Sequence, residues 1–432
     1  MTNSDRVGAL AGFAALMVLV ACGGEPAADK GAEPAPATAE KAPAPAEVEP
    51  PKPVQDPLVG GPYPTVLLSQ AWFYKDANNK SKPGPARLEI WRDTPDGWRS
   101  SRLEDADSNV FHKAVFYDGG IVTIGGEKAL LKKWTFADGA WKGETLLERN
   151  WGGKFNRLRD LEIGDVDGDG KDELVMATHD QGVVVVFSPD DPSNVVELDR
   201  TPDTFVHEIE ICDIDGDGKK EFFATPTGRN STEKSQAGAL VMYRFDGNTY
   251  QRTVVEQMGG THAKETLCSD LDGDGKGELF AVLEAELGPD KKPLAPVAIR
   301  QYLLQKDGSF TSKDIGSITD RQNRFLVPGD LDGDGQTELV ASAMKSGVWL
   351  LDPAKDGSWT MSSIDRNSSG FEHASFVTDL DGDGKVELYV VADEQAELKR
   401  YVYNPETKSF DTTLIGKLSD NTFTWNMAAG QL

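Results

Sequence analysis

The chain has 432 residues, of which 38% are apolar and 27% charged, and its 71 acidic and 45 basic side chains leave a formal net charge of −26. Charge of that sign repels phosphate backbones, so nucleic acid is excluded as a general partner and divalent cations are favoured. Three cysteines are too few for a disulfide framework, and only one segment, at the extreme N-terminus, is apolar enough to enter a membrane.

That segment, GALAGFAALMVLVA at 8–21, follows Arg6 and is too short to span a bilayer. It fits the apolar region of a secretory signal. It ends Leu19-Val20-Ala21-Cys22, which resembles the bacterial lipobox. The resemblance implies a signal over 1–21, cleavage before Cys22 and lipidation of that residue, which would make the membrane a partner through the anchor. Gly23 follows the cysteine where an Asp would signal inner-membrane retention. The address implied is therefore the bacterial cell envelope, at the outer membrane. Residues 22–57 are largely Gly, Ala, Pro, Glu and Lys with no apolar periodicity, and are expected to be a disordered tether ahead of a folded domain at 58–432.

Within that domain a six-residue pattern, Asp165-Val-Asp-Gly-Asp-Gly170, recurs at Asp213, Asp270, Asp330 and Asp379, with repeats 48 to 60 residues apart. Each copy runs on to a glutamate and an apolar, β-branched or aromatic stretch such as Glu173-Leu-Val-Met or Glu387-Leu-Tyr-Val, which has the character of a strand. Later in most units an Asp-Gly turn is followed by an aromatic, as at Asp138-Gly139-Ala-Trp141 and Asp356-Gly357-Ser-Trp359, a strong hairpin signal. About four strands per unit at this period predict an all-β fold, a β-propeller. A further unit around Phe111–Asp118 lacks the acidic pattern. The C-terminal Phe423–Gln431 looks like an isolated first strand, and 66–104 supplies the strands it lacks. The count is seven blades, with six or eight left open, and one blade is closed by C-terminal and N-terminal strands together.

Numbered from its first aspartate, each loop places carboxylates at positions 1, 3, 5 and 9 and a backbone carbonyl at 7. The five sets are Asp165, Asp167, Asp169, Lys171 and Glu173; Asp213, Asp215, Asp217, Lys219 and Glu221; Asp270, Asp272, Asp274, Lys276 and Glu278; Asp330, Asp332, Asp334, Gln336 and Glu338; and Asp379, Asp381, Asp383, Lys385 and Glu387. Six or seven oxygens in a tight loop suit calcium, about five ions in all. Strands flank the loops and position 12 carries Met176, Ala224, Ala281, Ala341 or Val390, which excludes an EF-hand. The repeats resemble the FG-GAP or VCBS repeats of integrin-like propellers over about 100–432. That resemblance implies a calcium-binding propeller, although the family commonly has Asp at position 9 where this chain has Glu.

Six residues before position 1 stand Arg159, His207, Lys264, Arg324 and His373, with His112 and Trp425 at the matching places of the two remaining blades. They begin the innermost strands and are expected to ring one mouth of the central channel, opposite the loops, where a cationic rim attracts an anion such as an acidic glycan. The competing account is local pairing with Asp160, Glu208 and Glu265; a third has His112, His207 and His373 holding a transition metal. Cys212 and Cys268 precede neighbouring loops at opposite strand parity, which leaves a disulfide open, with two small buried thiols as the favoured reading. The sequence holds no nucleophile motif, no HExxH and no phosphate loop. The leading expectation is an envelope-anchored module that binds a glycan, peptide or protein. The alternatives are a polysaccharide lyase or hydrolase acting at the basic mouth and a structural part of an envelope complex.

Overall fold

The structure, a computed structural model, describes residues 49–56, 60–154, 156–228 and 236–432. The proposed signal, Cys22 and all but the end of the proposed tether lie outside the described residues. Every described regular element is a strand, and none of the described residues forms a helix.

Seven antiparallel sheets stand around one axis. Six are four-stranded blades in simple up-and-down order, covering 111–149, 158–199, 204–257, 263–318, 323–365 and 375–417, here blades 1 to 6. Blade 4 carries an added ribbon, Glu286–Leu287 paired with Pro293–Ala295, which accounts for the longest repeat spacing. Blade 7 joins the two ends of the chain. Its inner strand, Thr422–Gln431, pairs with Pro64–Lys75, from Pro64 opposite Gln431 to Trp72 opposite Thr422. Ala86–Thr94 and Gly97–Asp105 follow outward. The seven-blade count and the closure expected from sequence are both present.

Strand alternation explains how the blades cohere. Successive side chains point to opposite faces of a sheet, so each inner blade face must be apolar on both sides. In blade 2, Leu174 and Met176 pack toward blade 1, whereas Val175 and Ala177 pack toward blade 3. The same division repeats around the ring and produces seven apolar clusters, one at each junction between neighbouring blades. A tyrosine on the third strand adds a polar tie at three junctions. Tyr302 donates to Glu256 at 2.6 Å and Tyr401 to Asp365 at 2.7 Å, and Tyr243 does the same to Asp199.

The first strand of each blade lines the axis. Phe111–Tyr117, Leu158–Gly164, Thr204–Cys212, Ala263–Ser269, Asn323–Gly329, Ser375–Thr378 and Thr422–Gln431 contact one another in a closed cycle. At one end each of five inner strands turns into a carboxylate loop; at the other end lie the basic residues.

Candidate functional site

The five loops share one internal scaffold. Position 1 accepts the amide of position 6, as in Gly170 to Asp165 at 2.9 Å and Gly218 to Asp213 at 2.7 Å. Position 5 accepts the amide of position 7 in all five loops. Position 9 accepts the amide of position 2, as in Val166 to Glu173 at 3.2 Å and Leu331 to Glu338 at 2.8 Å. The glycines at positions 4 and 6 have φ near +80° throughout, a conformation that side-chain-bearing residues rarely adopt. The curl draws carboxylates toward a common centre. Oxygens of positions 1, 3, 5 and 9 lie within 4.8 Å of one another at Asp330, Asp332, Asp334 and Glu338, and again at Asp379, Asp381, Asp383 and Glu387. In the other three loops positions 1, 3 and 9 converge, while Asp169, Asp217 and Asp274 stand outside the tight group. Burial pushes Glu173 and Glu338 up to about 7, and the neighbouring aspartates add to the rise.

Asp330 differs from its counterparts. Its Oδ1 is buried without a hydrogen-bond partner, whereas the matching oxygens of Asp165, Asp213, Asp270 and Asp379 each accept a glycine amide. An orphaned carboxylate oxygen facing three other carboxylates fits a hard cation, as does the all-oxygen donor set.

Two loops carry a resident cation that the sequence pattern did not reveal. Arg244 contacts Asp215 at 2.6 Å and Glu221 at 2.7 Å, and Arg400 contacts Asp381 at 3.2 Å and Glu387 at 2.9 Å.

Cys212 and Cys268 form a disulfide, contrary to the expectation of two free thiols. They occupy inner strands of adjacent blades with their Cα atoms 5.8 Å apart, within the ordinary range for a bridge. Gly277 packs against the bridge so closely that a Cβ there would lie 2.7 Å from the Cys212 sulfur.

At the opposite end the basic column does not form an open rim. His112, Arg159, His207, Lys264, Arg324 and His373 are all buried, at most 6% exposed. Seven closely packed strands leave little room at the axis, so these side chains bond to one another and to acids. Arg324 sits 2.9 Å from both Glu284 and Glu372, and Arg159 is 3.7 Å from Glu372. The Lys264 ammonium lies 2.9 Å from the His207 ring. His373 bonds the Ala343 carbonyl and the Ser368 hydroxyl, and His112 bonds the Leu158 carbonyl. Local pairing with Asp160, Glu208 and Glu265 is also not what forms. Asp160 pairs instead with Lys113 at 2.9 Å, below the basic layer.

The shared histidine site fails geometrically. His373 stands apart, while His179 and His262, which the repeat alignment skipped, join His112 and His207 in a string with ring centroids 5.5 to 6.2 Å apart. His179 stacks on Phe205 at 4.3 Å. None of the described histidines belongs to a group close enough to share an ion. Burial, reinforced by nearby Arg157, Arg159 or Lys264, holds His112, His179 and His207 well below the usual imidazole value and His262 at about 4. Burial and then Arg324 push Lys264 down to about 7.

Trp425 links this buried layer to a partly exposed aromatic patch. Arg159 lies over its ring at 5.5 Å, His112 meets it edge-on at 5.0 Å, and Phe423 and Phe371 flank it at 5.2 and 6.5 Å. Arg324 lies over Phe371 at 4.6 Å. The Trp425 indole nitrogen is buried without a partner.

A family model described as an FG-GAP-like repeat matches residues 165–224, 270–341 and 330–390. Comparison with curated proteins gives no match. Among solved structures, a lectin of Agrocybe aegerita that recognises non-reducing terminal N-acetylglucosamine is 15% identical, with a TM-score of 0.50 over 86% of this chain and 95% of that one. Putative 6-phosphogluconolactonases of Bacteroides fragilis and Bacteroides uniformis are 15% and 14% identical, each with a TM-score of 0.52; the alignments cover 87% and 86% of this chain and 100% of theirs. At such identity these likenesses speak to the propeller fold alone.

Proposed function

We propose that this chain, a seven-bladed propeller carrying FG-GAP-like repeats, is a calcium-stabilised binding module held at a bacterial envelope by a lipid on Cys22. Positions 1, 3, 5 and 9 of the five loops, with the carbonyls at position 7, would hold calcium, which supplies the positive charge that these convergent carboxylates lack. The ions would tie inner to second strands and stabilise the folded state by linkage.

The ligand surface is the aromatic patch of Phe371, Phe423 and Trp425, and its class is a glycan. The observation that carries this reading is the partly exposed Trp425, which meets Phe423 at a tilt and Phe371 edge-on and is backed by Arg159. Sugar rings present apolar faces, which such an aromatic surface matches. A propeller of this fold recognises a terminal sugar in the Agrocybe lectin, so the scaffold is compatible with that role. The lyase or hydrolase reading loses ground, because a general base must reach its substrate and His207 and Lys264 are 1% and 2% exposed.

The test is a glycan array with the calcium-loaded protein beside Trp425→Ala. Binding that disappears in the variant without a change in melting temperature supports the assignment. No binding to any glycan, or binding that survives the substitution, removes it. Metal analysis after dialysis addresses calcium separately, and labelled palmitate incorporation in wild type against Cys22→Ser addresses the anchor.

A further inference from the structure

The repeat pattern makes the five loops look equivalent, but charges outside the loops divide them. In blade 3, Ala239–Phe245 runs antiparallel to the second strand with Tyr243 opposite Phe222, so Arg244 falls beside Glu221. From there its guanidinium occupies Asp215 Oδ2 and Glu221 Oε1. In blade 6, Arg400 takes the corresponding pair, Asp381 Oδ2 and Glu387 Oε1. These residues stand at positions 3 and 9, two of the convergent carboxylates. The glutamate side chains are only 1% exposed in both cases, while the guanidinium-bearing side chains reach them from the surface, 41% exposed for Arg244 and 24% for Arg400.

Blade 5 has the opposite sign at the same register. Leu351 lies opposite Leu339, which sets Asp352 beside Glu338 where blade 3 has Arg244. Asp352 thus adds a carboxylate next to the four of this loop. This loop also has Gln336 where the other four have lysine, and it holds the orphaned Asp330 oxygen. Blades 2 and 4 place uncharged Ser188 and Leu303 at that register.

Resting on the calcium reading above, we propose that the loops fill in a fixed order. The loop at 330–338 binds calcium most tightly, those at 165–173 and 270–278 follow, and those at 213–221 and 379–387 bind last because calcium must displace the guanidinium of Arg244 or Arg400. The two arginines are built-in counter-ions that hold blades 3 and 6 together at low calcium. Coulomb's law makes the sign firm: a guanidinium already within hydrogen-bonding distance of two donors opposes a second cation, and an added carboxylate favours one.

The experiment is a calcium titration of the chelator-stripped full chain, followed by calorimetry and by competition with a chromophoric chelator. Wild type should resolve three tighter sites and two weaker ones, at least 10-fold apart. Arg244→Met with Arg400→Met should move the weak pair into the tight class, and Asp352→Lys should weaken one tight site at least 10-fold. Five indistinguishable sites in wild type, or a weak class unchanged in the double variant, overturns the order. If the double variant does not fold, the wild-type profile and Asp352→Lys still decide. Absence of any calcium binding would instead overturn the calcium reading itself, an outcome distinct from uniform binding.

Discussion

Cys212 and Cys268 are joined across the boundary of blades 3 and 4, one residue and two residues ahead of Asp213 and Asp270. The bridge fixes two carboxylate loops relative to one another. The Gly277 amide, donated to the Asp213 carbonyl at 2.7 Å, adds a second tie between the same loops.

The bridge closes a segment of 56 residues in sequence, and cross-links of that span contribute about 2–4 kcal/mol, largely by restricting the unfolded chain. Reduction, or Cys212→Ser with Cys268→Ser, is therefore expected to lower the melting temperature in calorimetry. An unchanged melting temperature after complete reduction, verified by thiol counting, would remove the stabilising role.

The buried histidines should work against the folded state in acid, while the raised carboxyls of Glu173 and Glu338 work for it. All five histidines are held below their usual value by burial, His262 and His373 at about 4. Between about pH 6.5 and 4 the unfolded chain's histidines bind protons that the folded ones refuse, so the histidines' contribution to stability falls as pH is lowered through that window. The slope is about 1.4 kcal/mol per pH unit for each histidine that stays neutral. His179→Phe, which keeps the stack on Phe205, should reduce the slope of stability against pH by about one proton. A slope equal to that of wild type would contradict the account.

The repeat pattern made the loops and the inner-strand column legible, because both recur at a fixed offset from the same aspartate. It did not disclose Arg244 and Arg400, which reach the loops from the third strand, two register positions apart. Nor did it disclose His179 and His262, which stand outside the aligned column. The burial of Arg159, Lys264 and Arg324 was invisible for a different reason. It depends on how closely seven strands approach the axis, and on Glu284 and Glu372, two acids with no place in the alignment. The cysteine pair depended on the angle between neighbouring blades, which parity alone leaves open.

Asp393 provides a test of opposite sign. Burial raises its carboxyl to about 7, with one oxygen accepting the Thr424 amide at 3.1 Å and the other unpartnered. Between about pH 4 and 7 the folded state is the one that holds the extra proton, so this residue's contribution is lost as pH rises through that window. Asp393→Asn should raise the melting temperature at pH 8 and leave it nearly unchanged at pH 4. A loss of stability at pH 8 would show that the charged form is needed.

Deleting residues 422–431 should abolish the single cooperative unfolding transition. The deletion strips the inner partner from Pro64–Lys75 and opens the apolar clusters on both sides of blade 7. Near-ultraviolet circular dichroism and dye binding would report the loss. A truncated protein that melts at the wild-type temperature would show the ring does not depend on that strand.

Blade 7 also constrains how the polypeptide comes into being. Its outer strands precede the six other blades in the chain and its axial strand follows them, so a nascent chain must carry an incomplete arc with an exposed edge until that strand emerges. Any premature stop after the first blade would release a fragment whose free backbone edge invites pairing with a second copy, a fate that the finished circle forecloses.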